Sequence, residues 1–157
     1  MPTGIEIAGV VLAAFPLVIA GVQAWRSGLE PISTWWQYRT EVIKLSAAVG
    51  SQHVMFLHNI ELLLDPIVTS SVQMDLLLKN AGPGNQAWRN PQVGARVKDR
   101  LSISYDSYVN TVGRLMDTLK ELESKLGIED GTVIPPNIQP NIIRSREIKS
   151  NGSNSAF

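Results

Sequence analysis

Two histidines and a carboxylate come closest to a chemical site in this sequence: His53, His58 and Glu61. A zinc pair on a helix needs its histidines four apart so that both rings share a face. His53 and His58 are five apart and point to different faces. His58 and Glu61 are three apart and share a face, but no third ligand accompanies them. The chain has no cysteine, which removes disulfides, thiolate metal sites and a cysteine nucleophile together. Gly82-Pro83-Gly84 is a turn without the Gly-Lys-Ser/Thr of a phosphate loop, and no serine sits in a Gly-x-Ser-x-Gly elbow. Glu129-Asp130 follows a helix exit and has no base or metal ligand paired with it in the sequence. These residues predict no catalytic, metal or cofactor site, no small-molecule substrate, and a protein that is not an enzyme.

Charge is balanced overall but unevenly placed. Fourteen Lys and Arg offset fourteen Asp and Glu, so the strongly basic character of a dedicated nucleic-acid binder is missing. Arg89, Arg96, Lys98 and Arg100, less Asp99, give a local excess, and Arg144, Arg146 and Lys149, less Glu147, give a second. Either could attract anionic lipid, but each taken alone reads more readily as a solvated helix flank. The first 25 residues, in contrast, carry only Glu6.

From Ile7 to Trp25 there are 19 residues without a charge. As a helix, rising ~1.5 Å per residue, that stretch is about 28 Å long, close to the apolar thickness of a bilayer. Its strong apolar residues are Ile7, Val10, Val11, Leu12, Phe15, Leu17, Val18, Ile19 and Val22, closed by Trp25. Summed on an insertion scale they favour a membrane by roughly 4 kcal/mol. Pro16, with Gly9, Gly21 and Gln23, works against that, because proline costs about 3 kcal/mol inside a helix in water. A secretory signal would need basic residues before the apolar run and a small-residue cleavage site after it. Glu6 and Trp25-Arg26 stand there instead. The same stretch also suits the buried core helix of a soluble bundle, broken at Pro16 if the proline opens a second helix. Gly9 with Ala13, and Ala20 with Ala24, are four apart and predict close helix packing in either setting. Trp25, Trp35 and Trp36 would gather at one end of the first two helices, as an interfacial belt or a packed aromatic end.

The elements that follow are read from period and punctuation. Trp35, Tyr38, Val42, Leu45, Val49, Phe56, Ile60, Leu63 and Leu64 recur at helical spacing. They predict a helix over 33–64 with Gly50 as a weak point, ended by Asp65-Pro66. A short helix with Ser70 or Ser71 as its cap carries Val72, Leu76, Leu77 and Leu78, and Asn80 to Asn85 is a loop. Pro91 opens a short basic helix. Tyr105, Tyr108, Val109, Val112, Leu115, Met116, Leu119, Leu122 and Leu126 give the best amphipathic pattern, over 104–126, with Gly127 as its cap. No strand alternation or long repeat appears. Residues 128–157, with Pro135, Pro136 and Pro140 and an Asn/Ser-rich end, predict a disordered tail or linker. Asn151-Gly152-Ser153 matches a glycosylation sequon, which means little without a signal peptide. The fold class expected is all-α: a bundle of four to six helices over 1–127, with a long apolar N-terminal helix.

Several segments together carry a family resemblance. Gly4-Ile-Glu-Ile-Ala-Gly-Val-Val-Leu-Ala-Ala-Phe-Pro-Leu, Trp35-Trp36-Gln-Tyr-Arg, Phe56-Leu-His-Asn-Ile-Glu-Leu-Leu-Leu-Asp-Pro-Ile-Val68, Met74-Asp-Leu-Leu-Leu and Ser104-Tyr-Asp-Ser-Tyr resemble the amino-terminal helical region of a group of fungal proteins. That group is similar to the HeLo and HeLo-like domains of fungal prion and cell-death proteins. The resemblance spans about residues 3–127. It implies a cytoplasmic bundle that self-associates or binds a protein partner, and whose apolar first helix, here residues 5–24, enters a membrane on triggering. The function expected is a non-enzymatic signalling or cell-death-type module acting by oligomerisation and conditional membrane association. The alternative is an adaptor that docks a downstream, kinase-like effector domain and keeps the first helix as permanent core.

Overall fold

The computed structural model describes residues 3–29, 35–82, 84–129 and 132–133. Among them the fold is all-α, with five α-helices: α1 Gly4–Leu29, α2 Trp35–Leu64, α3 Ser71–Lys79, α4 Pro91–Leu101 and α5 Tyr105–Lys125. Short 3-10 turns at Gln86–Arg89 and Ser102–Ser104 join the later helices.

The chain stops and starts its helices where local chemistry demands. α2 ends at Leu64, two residues before Pro66. Ser70 caps α3 by accepting from the Gln73 N–H at 3.4 Å, and Asn90 caps α4 through its side-chain oxygen on the Gln92 N–H at 2.9 Å, with Pro91 in the first turn. Ser102, at φ 47°, turns the chain between α4 and α5. Gly127, at φ 69°, takes the left-handed conformation that follows a helix C-terminus at little cost to glycine.

α1 is the centre of the molecule. It lies along α2 on one side and α5 on the other, and no substantial contact joins α2 to α5 among the described residues. Ile5, Ala8, Val11, Leu12, Ala14, Phe15, Val18 and Val22 are buried, and they meet Val49, Ile60 and Leu64 of α2 and Val112 and Leu119 of α5 in one core. The helix is continuous through Pro16, so the break considered at that residue does not occur. Pro16 is exposed, so the proline ring takes none of the buried positions. α2 is likewise unbroken at Gly50. Only one side of α2 is covered, by α1 and by α3. Tyr38 and Leu45, which the periodicity places in the core stripe of α2, are therefore exposed.

The elements run past Gly127, where the sequence reading starts its tail. Ile128–Glu129 (β1) and Thr132–Val133 (β2) pair antiparallel, Ile128 opposite Val133. Ile128 is buried at the C-terminal end of α1. Strands two residues long carry no readable period, which is why the pattern misses them. The remainder of the expected tail, 134–157, lies outside the described residues.

Candidate functional site

The residues assigned to a membrane-directed helix are mostly interior. Val11, Leu12, Phe15, Val18 and Val22 are buried; Ile7, Val10, Leu17, Ile19 and Trp25 are half-buried. Gly4–Ser27 is long and apolar enough to cross a bilayer by length and composition, a test that the buried core helix of a soluble protein also passes.

Small residues of α1 act differently from one another. A Cβ on Gly9 would stand 2.6 Å from Cδ2 of Trp88, so the glycine makes room for the indole and not for a second helix backbone. Trp88, 2% exposed, is inserted by the 86–89 turn and donates Nε1–H to the Leu77 carbonyl at 3.0 Å. Asn85 holds that turn: its amide donates to the Asn80 and Leu76 carbonyls at 2.8 and 3.3 Å, while its oxygen accepts from the Ala87 N–H at 2.9 Å. Ala13 is half-buried next to Gly82, and Ala24 is half-buried. Ala20 is exposed and marks no close approach. That role belongs to Gly21, where a Cβ would meet Ile128 Cδ1 at 2.8 Å, and to Gly4, packed on Tyr108 and Val109 of α5. No spacing rule finds these two, because each partner comes from a distant segment.

Trp25 donates Nε1–H to the Leu126 carbonyl at 3.0 Å, tying the end of α1 to the end of α5. The aromatic cluster expected with Trp35 and Trp36 rests on side chains outside the described residues. His53 stacks on Phe15, ring centroids 5.2 Å apart, and partial burial lowers its pKa below the usual histidine range. His58 is exposed, 3.9 Å from Glu61. Among the described residues no group of three or more His, Cys, Asp or Glu could hold a metal ion. The basic residues at 89–100 are dispersed: Arg96 donates to the Ile67 carbonyl at 3.2 Å, and Lys98 lies over the Tyr105 ring at 5.6 Å. Tyr108 keeps a buried hydroxyl with no hydrogen-bond partner among the described residues, and burial raises its pKa well above the usual range.

The surface that stands out is the outer side of α2. Between Lys44 and Glu61 this helix carries no Asp, Glu, Lys or Arg. Ala48, Ser51, Met55 and His58 are exposed in that stretch and Leu62 just beyond it, and together they alternate at spacings of three and four. Met55 is 55% and Leu62 54% exposed. A 3–4 alternation keeps one straight seam facing a partner helix, the geometry that coiled coils and many bundles use. Loss of charge at the centre is the compositional mark of a protein contact surface. The seam escaped the sequence reading because only the burial of the opposite side distinguishes it from the core stripe.

Against family models, characterised proteins and solved structures alike, the chain gives no match. The likeness to HeLo-like regions thus rests on the segments quoted above.

Proposed function

We propose that this chain is a non-enzymatic helical interaction module that self-associates through the outer seam of α2. The observation that carries the reading is the exposed, uncharged 3–4 alternation of Ala48, Ser51, Met55, His58 and Leu62. A second copy is the occupant it fits. When two α2 helices run antiparallel about a two-fold axis near His53, Ser51 of each faces Met55 of the other, and Ala48 faces His58. Small residues then sit opposite large ones, which is how helix layers interdigitate. In this register Lys44 falls opposite Leu62 of the other copy, with Glu61 the residue next to it, so a charge of opposite sign stands beside the lysine at the edge of the seam. A two-fold contact is self-complementary by construction and closes at a dimer. In this reading α1 stays in place as core.

Sedimentation equilibrium tests it. The expected result is a dimer for the wild-type chain and a monomer of unchanged helical content for Met55→Lys. Val72→Lys, on the 69%-exposed position of α3, should remain dimeric. A wild-type monomer at all concentrations, or a dimer that survives Met55→Lys, would overturn the proposal.

One observation favours a second reading, conditional membrane association: the spanning length and apolarity of Gly4–Ser27. α1 would have to leave both α2 and α5 to reach lipid, so this route needs a trigger that opens the core. With the resemblance, it gives a cell-death-type module, in which the seam would supply the oligomerisation step. Flotation with anionic vesicles separates the two. If neither the wild-type chain nor a cross-linked oligomer binds, and α1 amides stay protected from exchange, the membrane route fails.

A further inference from the structure

A second site lies away from the α2 seam. α1, Gly82, the 85–89 segment and α5 line a half-open cavity of about 210 Å³, with Ile7, Val10, Trp88 and Met116 as its apolar walls and Arg89 and Lys120 at its border. The apolar part of the lining comes from three separate segments, so the cavity exists only in the folded chain.

The polar groups around it divide into committed and uncommitted. Glu6 also borders the cavity, but its Oε2 accepts the Thr3 N–H at 3.0 Å, at the start of α1. Asn85 is bound through its oxygen to the Ala87 N–H of its own turn and through its nitrogen to the Leu76 and Asn80 carbonyls at the end of α3. Gly82, at φ 152°, contributes backbone in a conformation that other residues rarely adopt. Arg89 and Lys120 are exposed and make no hydrogen bond or ion pair among the described residues. Two cationic donors without a partner among the described residues therefore border the cavity, against one carboxylate whose Oε2 is held at the start of α1.

We propose that this cavity binds a small organic carboxylate, with its one- or two-ring apolar body against Trp88, Val10 and Met116 and its anion between Arg89 and Lys120. The size sets the class. Drug-sized sites run to ~300–1,000 Å³, so 210 Å³ matches the body of a one- or two-ring acid and is too small to hold a whole peptide or nucleotide. The charge sets the sign, because two cations against one carboxylate disfavour amines. The apolar lining gives body affinity, and the charge-assisted hydrogen bonds to the carboxylate give selectivity. Such a ligand would touch α1, the 86–89 turn and α5 together, and by mass action it would raise the melting temperature of the arrangement that holds α1 in the core.

The test is titration of the isotope-labelled full chain with 1-naphthylacetate, 1-naphthylacetamide and inorganic phosphate in parallel, followed by NMR. The expected result is saturable shifts at Trp88, Val10 and Met116 with the acid, much weaker binding of the neutral amide, and no matching shifts with phosphate. Arg89→Ala with Lys120→Ala should weaken the acid about tenfold and leave the amide unchanged, while resonances away from the cavity stay in place. If the double variant disturbs the fold, Lys120→Gln alone is compared against the same amide. Equal binding of acid and amide, phosphate reproducing the shifts, or no saturable shift at these residues would overturn the proposal. None of these readouts depends on self-association through α2.

Discussion

The two longest helices of this molecule receive opposite treatment. α1 is apolar on nearly all sides and is held between α2 and α5, whereas α2 is longer, more polar, and covered on one side only. A helix apolar all round must be buried in protein or lipid, and one with a single apolar stripe needs a single partner. α2 departs from that rule, because outside its covered stripe it still presents Met55 and Leu62, and charged residues are missing between Lys44 and Glu61. The difference teaches that the strongest apolar signal in the chain marks its structural centre, and that the weaker, interrupted one belongs to a helix with a long exposed side.

Carboxylates placed on each helix are the harshest way to break that contrast. Val11 is 0% exposed, so Val11→Asp buries an unpaired charge with no acceptable partner. The expected outcome is loss of the cooperative thermal transition followed by circular dichroism. Val54→Asp, at a position of α2 that is 65% exposed, should stay within about 0.5 kcal/mol of wild type when both are compared as monomers at low concentration. If Val11→Asp folds normally, α1 is not the core helix described here.

Glycines sharpen the same contrast at smaller scale. Gly9→Ala puts a methyl 2.6 Å from the Trp88 ring. Overpacking of this kind costs ~1–3 kcal/mol, partly offset by about 1 kcal/mol of helix propensity. Gly50→Ala meets nothing within 4 Å and should stabilise α2 by ~0.5–1 kcal/mol. Urea unfolding of the two variants should therefore move the midpoint in opposite directions, and a gain for Gly9→Ala would show that Trp88 can shift to make room.

Much of the fold is legible because helix ends are local chemistry. Pro66, Ser70, Pro91 and Gly127 each act on their own few residues, and the elements end or begin near them. What the sequence hides is how many neighbours a helix has. Tyr38 and Leu45 fit the apolar period of α2 as well as Val49 and Ile60 do, yet they are exposed, because α5 packs against α1 and leaves α2 with one long neighbour. Gly9 is marked as a close contact by its spacing with Ala13, but its partner, the Trp88 indole, arrives from a turn far along the chain. The cavity between α1, α5 and the 86–89 turn is invisible for the same reason: no local window contains Val10, Trp88 and Met116 together.

The mildest perturbation tests the packed contact between α1 and α2 directly. His53 of α2 stacks on Phe15 of α1, and desolvation lowers its pKa from the ordinary 6.5. In the unfolded chain the imidazole takes up its proton near the ordinary value, while in the folded chain it resists until lower pH. The unfolded state then binds more protons across that interval, so stability rises with pH through it. The contribution is fully present above about pH 6.5 and is lost as pH falls below that value toward the folded pKa. Between about pH 5 and 6.5 few carboxylates titrate, so the slope belongs largely to histidine. His53→Phe keeps a ring against Phe15 and removes the proton. Urea midpoints measured across this interval should decline toward low pH for the wild type and flatten for His53→Phe, which should also be slightly more stable at the acidic end. An unchanged slope in the variant would mean that His53 is solvated in both states and that the α1–α2 contact loosens around residue 53. The contrast between a closed α1 and a half-open α2 would then begin inside their shared interface.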